Sequence, residues 1–179
     1  MNQTTPKKKF DWSKETFEFF DSVVLSAVLV LLVFTLVFRV FIVNGPSMKP
    51  TLTHEDRLVV SNLFYTPKNG DIICFYNEFK DEVLIKRVIA TEGQTVDIDE
   101  NYAVYVDGKK LDEPYIFAAN TKPQTVSLPL TVKEGCVFVL GDNRVDSMDS
   151  RYLEVGQVDT NKILGKLIIR LFPKFGKVG

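Results

Sequence analysis

Between Val23 and Val43 the chain runs 21 residues with a single charge, Arg39. As an α-helix that run extends about 31 Å, the thickness of a bilayer's hydrocarbon core. A helix that is apolar all round needs cover on every side, which a bilayer supplies most simply. The segment therefore predicts a single transmembrane anchor over residues 17–40. A cleavable leader is the competing reading, but the apolar core is too long for one, and Val43-Asn44-Gly45 is a poor small-x-small cleavage site. Arg39, near the outer end, can snorkel to the interface. Lys7, Lys8, Lys9 and Lys14 precede the run, whereas only Lys49 and Arg57 follow closely. That bias puts a tail of residues 1–16 in the cytoplasm and everything after the anchor outside it. Glu15, Glu18 and Asp21 weigh little in this rule. Phe41-Ile42-Val43 also reads as a first strand, which draws the helix end back towards Arg39.

Past the anchor the pattern changes to short β-branched runs separated by turn residues. Leu58-Val59-Val60, Ile72 to Tyr76, Val83 to Ile89 and Val137 to Leu140 read as strands. Asp107-Gly108, between Tyr102 to Val106 and Lys109 to Leu111, signals a hairpin. Ile163 to Phe172 is too short to cross a membrane and reads as a closing strand. The expected class is mostly β: one helix, then an antiparallel core sheet over 41–96 and 135–172, with a C-terminal tail over 173–179. Pro114, Pro123 and Pro129 interrupt the pattern between them, so 97–134 reads as an inserted smaller β subdomain. A net charge of −1 without a basic stripe argues against nucleic acid as a partner. Cys74 and Cys136 sit in apolar runs at a spacing that fits no metal motif, and read as buried thiols rather than a disulfide.

Two residues in this frame carry chemistry. Ser47 lies in the turn Gly45-Pro46-Ser47-Met48-Lys49-Pro50-Thr51, just past the anchor. Lys86 lies inside Val83-Leu84-Ile85-Lys86-Arg87-Val88-Ile89, where an ammonium group is costly to keep charged. A hydroxyl nucleophile needs a base, and lysine serves only when its pKa is drawn down towards the working pH. An unperturbed lysine is roughly 0.04% neutral at pH 7. A triad would have to use the single histidine, His54, beside Glu55 and Asp56 in a polar turn where a solvated side chain is expected. The third segment is Gly141-Asp142-Asn143-Arg144-Val145-Asp146-Ser147-Met148-Asp149-Ser150-Arg151.

With that segment the chain closely resembles the type I signal peptidases, membrane-bound serine proteases with a Ser/Lys dyad. Ser47-Met48-Lys49-Pro50-Thr51 is similar to their nucleophile box and Gly70-Asp71-Ile72-Ile73 to a short structural box. Lys86-Arg87-Val88 is similar to their lysine box, and Gly141 to Arg151 to their last box. The resemblance is to the short form of Gram-positive bacteria. It implies catalysis by Ser47 and Lys86 through an acyl-enzyme, with Ser147 orienting Lys86. It also implies that Asp142 and Asp149 pair with Arg87 and Arg151. Asp146 reads better as part of a solvated loop. The backbone N–H of Ser47 is the expected oxyanion donor. Some relatives carry a serine two positions before the nucleophile; Gly45 stands there here and leaves the second donor open.

By the same resemblance, the substrates are secretory preproteins with small residues at the minus-three and minus-one positions. Phe41, Val43, Leu84 and Ile85 would line the pockets that select them, although each reads equally as plain core. A shared bilayer would concentrate substrate near the enzyme. No cofactor is expected. No metal is expected either, because Asp142, Asn143, Asp146 and Asp149 lack the alternating spacing of a calcium loop. A membrane-tethered β-module that only binds a partner explains the anchor and strands but not the lysine or the last box. A cytoplasmic self-cleaving repressor with the same dyad is opposed by the anchor.

Overall fold

The computed structural model describes residues 12–116 and 125–178, with the side chains of 13–15 excepted. The expected tail up to residue 11, the basic run Lys7 to Lys9 and the 117–124 part of the insert lie outside the described residues. Helix α1 spans Trp12–Val37. Its stretch Thr16–Val37, 22 residues long, is long and apolar enough to cross a membrane. The expected anchor ran to residue 40, but Phe38, Arg39 and Val40 belong to strand β1 (Phe38–Ile42). Apolarity alone cannot place that boundary, because β1 continues the apolar run. What places it is the ladder from Phe38↔Ser61 to Ile42↔Arg57 with β2 (Arg57–Ser61).

The described residues from Phe38 onwards form one compact unit holding two antiparallel sheets. The larger adds β3 (Ile72–Asn77), β4 (Glu82–Thr91), β9 (Cys136–Leu140), β10 (Val158–Asp159) and β11 (Ile163–Phe172). Its order is β1-β2-β11-β3-β4-β9-β10. The last long strand is thus inserted between two early ones, a pairing no local signal announces. Gly165 in β11 makes the close approach possible: a Cβ there would lie 2.8 Å from the Ser61 backbone. The smaller sheet contains β5 (Thr95–Ile98), β6 (Val104–Val106), β7 (Lys109–Lys110) and β8 (Leu130–Thr131), in the order β7-β6-β5-β8. Asp107 and Gly108 both adopt positive φ and close the β6–β7 hairpin. The small sheet starts at Thr95, so β5 straddles the boundary expected at 97.

Strand β9 shows how the core is divided. Val137 and Val139 pack with Ile73, Phe75, Val88 and Ile163, whereas Phe138 and Leu140 pack with Ile89, Val96, Val104 and Val132. Alternate side chains point to opposite faces of a strand. Both faces of β9 are apolar because other strands cover both. A third cluster, Val43, Met48, Leu52, Leu58, Ile72 and Leu167, lies beneath the turn that carries Ser47. Each of these large side chains contributes about 1.5–3 kcal/mol on burial, so that turn is held as firmly as core. Cys74 is buried and its thiol is pushed up to about 12 by desolvation; Cys136 is partly buried.

Candidate active site

After β1 the chain is tied down at Val43, which donates to Asp56 O (2.9 Å) and accepts from Glu55 N–H (2.9 Å). Gly45 then takes φ +101°, a left-handed conformation that a side chain would strain. The next turn closes by Lys49 N–H to Pro46 O (3.0 Å) and Leu52 N–H to Met48 O (2.8 Å). Met48 and Leu52 point down into the third cluster while Ser47, half-buried, opens onto cavity. Burial of the neighbours thus aims the serine.

Lys86 approaches from β4, where Ile73↔Lys86 and Cys74↔Ile85 pairings with β3 hold the strand. Its Nζ lies 2.8 Å from Ser47 Oγ and 3.0 Å from Ile85 O. The side chain is 2% exposed. Desolvation draws its amine down to about 8, opposed chiefly by the nearby Asp149 carboxylate. The segment similar to the structural box sits alongside. Gly70 N–H donates to Val88 O and Val88 N–H to Asp71 O, both 2.8 Å, while Gly70 O accepts from Arg87 Nη1 at 2.9 Å.

The loop after β9 closes over these groups. Asn143 donates its N–H to Ser47 O (3.0 Å) and its Nδ2 to Pro46 O (3.2 Å). Arg87 grips Asp142 with two bonds, Nε–Oδ1 at 2.8 Å and Nη2–Oδ2 at 2.7 Å. Asp142 also accepts from Thr51 Oγ1, back in the serine turn. Arg151 grips Asp149 likewise, at 2.7 and 2.8 Å. Asp149 Oδ2 accepts Gly141 N–H at 3.0 Å. Both ion pairs are buried, so each must be fully hydrogen-bonded to be tolerated. Gly141 has no room for a side chain: a Cβ would meet Ser147 Oγ at 2.2 Å and Ser47 O at 2.5 Å.

Ser147 departs from the expectation. Its Oγ is buried without a hydrogen-bond partner, so the bond near the lysine that the resemblance implied is not formed in this geometry. The hydroxyl sits against Gly141 instead, although Ser147 still lines the same cavity as Lys86. Asp146 is exposed at that loop's edge.

Ser47 and Lys86 lie between two cavities. One, about 460 Å³, is lined by Gly45, Lys80, Glu82, Asp146, Ser147 and Tyr152 besides the pair. The other, about 230 Å³, is lined by Phe41, Val43, Leu84 and Ile85, with Met48 at its base. Val43 is at once core and cavity wall, which is why the sequence could not separate those roles. A larger cavity of about 610 Å³, lined by Tyr65, Glu92 and Cys136 among others, holds none of the candidate site residues. Size is a poorer guide here than the 2.8 Å approach of amine and hydroxyl. Sequence reasoning passed over Asn143 as a clasp on Ser47, and also Thr51, Glu113, Tyr115 and Arg144. A polar residue in a loop carries no local mark of what it reaches.

His54 is exposed, and its Nδ1 accepts from Gly45 N–H at 3.4 Å rather than from Ser47. The expected result of His54→Ala is therefore peptide cleavage within about threefold of the parent, since losing one long hydrogen bond is worth under about 1 kcal/mol. A His-based triad instead requires a loss on the order of 10³-fold, measured as kcat/KM on the folded variant.

A buried amine against a serine hydroxyl, carried by a β fold downstream of a membrane-length helix, delimits a small class of hydrolases. A profile of the family described as "Signal peptidase, peptidase S26" matches residues 16–172, and the chain belongs to that family. Among its relatives, Signal peptidase I of Bacillus licheniformis is 34% identical over 94% of this chain and 95% of its own length. Signal peptidase I T of Bacillus subtilis is 33% identical over 96% and 91%. Probable signal peptidase I-1 of Synechocystis is 39% identical over 84% and 83%. A crystal structure of a signal peptidase I from Enterococcus faecalis is 33% identical, covers 58% of this chain and 98% of that one, and has a TM-score of 0.49. The protein is a serine endopeptidase of the signal peptidase I type.

Proposed function

We propose that this peptidase removes N-terminal signal peptides from secretory preproteins by a Ser47/Lys86 dyad. In this reading α1 holds it in the bilayer, the N-terminus is cytoplasmic and the β domain extracytoplasmic. The observation that carries the dyad is the 2.8 Å separation of Lys86 Nζ and Ser47 Oγ, with the lysine buried and its amine drawn down to about 8. Neutral Nζ takes the proton as Oγ attacks the scissile carbonyl, and the oxyanion is met by the Ser47 N–H. Nζ returns that proton to the departing amine. It then takes one from the water that attacks the ester and hands it to Ser47 Oγ as the acyl–Oγ bond breaks, which restores hydroxyl and neutral amine. Gly45 brings no hydroxyl to the oxyanion, so any second donor must come from elsewhere.

The strand arrangement supports an extended substrate. β4 pairs with β9 only from Arg87 onwards. Among the described residues no strand lies beside Glu82–Ile85 opposite β3. A peptide can add there as a strand, its alternate side chains facing the 230 Å³ cavity. That cavity is small and walled by Phe41, Val43, Leu84 and Ile85, which favours small side chains.

The pH profile tests the base. Only neutral Lys86 accepts a proton, so kcat/KM on a preprotein in detergent is expected to climb through an acid limb near pH 8 and then level. Lys86→Arg is expected to be inactive at every pH, because guanidinium stays protonated. A limb still rising at about pH 10, where free lysine titrates, sinks the assignment.

A further inference from the structure

Arg87 in β4 and Arg144 in the loop over Ser47 are both held by one short segment of the smaller sheet's connections, which the dyad chemistry leaves unexplained. Arg144 is 2% exposed. Its Nε donates to Gly141 O (3.1 Å), and its Nη1 and Nη2 both donate to the carboxylate of Glu113. Arg144 O in turn accepts from Arg151 Nη1 at 3.0 Å. Tyr115, two residues on from Glu113, donates its hydroxyl to Glu113 Oε1 at 3.0 Å. The Tyr115 ring lies under the Arg87 guanidinium, 4.0 Å from ring centre to Cζ. Glu113 and Tyr115 therefore hold both ends of one clasp. Through Arg144 they fix the turn whose Asn143 binds Ser47 O, and through Arg87 they fix Asp142, which binds Thr51.

We propose that Glu113 and Tyr115 are positioning residues, with the smaller sheet setting the placement of Ser47 against Lys86 through Arg144 and Arg87. The inference rests on the reading of Ser47 and Lys86 as the catalytic pair. Neither Glu113 nor Tyr115 lines the cavities beside Ser47, so substrate binding is not their task. Neither is among the charges that bear on the Lys86 amine, so the base keeps its titration when they change. What changes is geometry. A nucleophile displaced by about 1 Å costs on the order of 10²-fold in rate without loss of binding.

The test uses the full chain in detergent, Glu113→Gln and Tyr115→Phe, and a short peptide substrate, with rates normalised to folded protein by circular dichroism well below each melting point. Glu113→Gln keeps the shape but removes the charge facing Arg144, and is expected to lower kcat about 10- to 100-fold. KM is expected to stay within about threefold, and the acid limb near pH 8 to stay in place. Tyr115→Phe keeps the ring under Arg87 and removes only the hydroxyl; kcat is expected to fall about three- to tenfold, the worth of one hydrogen bond. If Glu113→Gln does not fold, Tyr115→Phe decides alone. Glu113→Asp is expected to recover part of the kcat that Gln loses. Unchanged kcat in folded variants, with only the melting point lowered, overturns the proposal and leaves a purely structural ion pair. So does a change confined to KM. Turnover by Ser47→Ala would instead sink the dyad reading itself, so the two failures are distinct.

Discussion

Ser47→Ala and Lys86→Met are each expected to lower preprotein cleavage by about 10⁴-fold or more, because nucleophile and base act as a unit and losing either removes the step. The drawn-down amine explains the size of the effect. At pH 7 a lysine titrating near 8 is about 10% neutral, against roughly 0.04% for a free one. The same desolvation makes opposite predictions for stability. Lys86 has a folded pKa below its unfolded one, so between about pH 8 and 10.5 the unfolded chain binds more protons and stability rises with pH. Below pH 8 the full penalty of about 3 kcal/mol is present. Methionine removes it and loses hydrogen bonds worth about 1 kcal/mol. Lys86→Met is therefore expected to be inactive yet about 2 kcal/mol more stable than the parent at pH 7. That advantage shrinks above pH 8 and reverses to about 1 kcal/mol in the parent's favour once pH passes 10.5. Melting curves across pH check this. An inactive variant that is also less stable at pH 7 would show that burial does not penalise the charged form of Lys86.

The parts of this fold that local pattern specifies were readable in advance. Ile163 to Phe172 carries enough β-branched residues to declare a strand, and Asp107-Gly108 declares its hairpin because both residues tolerate positive φ. The sheet order was not readable. β11 lies between β2 and β3 because Leu167 fills the third cluster and Gly165 admits the Ser61 backbone, and neither fact is visible in the run itself. The helix end at Val37 was likewise hidden, since Phe38 and Val40 suit a helix or a strand equally and only β2 decides.

Of the site, the residue types were legible and the distances were not. Ser47 in a Gly/Pro turn and Lys86 in an apolar run are visible as chemistry. Their 2.8 Å approach depends on β4 and the serine turn meeting across 39 residues of chain. The pairing partners of Asp142 and Asp149 came from likeness to a family rather than from spacing. Glu113 and Arg144, 31 residues apart, offered no signal, because a charge in a loop reads as solvated until its partner is known.

Asp149→Asn separates the structural and electrostatic work of one carboxylate. The side chain is fully buried, accepts two bonds from the Arg151 side chain and one from Gly141 N–H, and raises the Lys86 pKa against the pull of burial. Asparagine leaves Arg151 buried without its counter-charge, an outcome that typically costs about 3–5 kcal/mol. In a domain of this size that lowers the melting point by roughly 10–20 °C. Replacing both partners by apolar residues, as in Asp149→Leu with Arg151→Met, is expected to recover part of the loss. The second effect is on titration. With the negative charge gone and Arg151 still positive, the charged form of Lys86 loses support, so its pKa falls further. The acid limb of kcat/KM then moves below its parent position near pH 8, and folded Asp149→Asn keeps a larger share of its own maximal rate at pH 6.5 than the parent does. The maximum itself falls, since a less basic amine is a weaker proton acceptor. A stability loss with the limb unmoved would confine Asp149 to holding Arg151 and the loop at Gly141, whereas a limb that moves upward contradicts the charge argument outright.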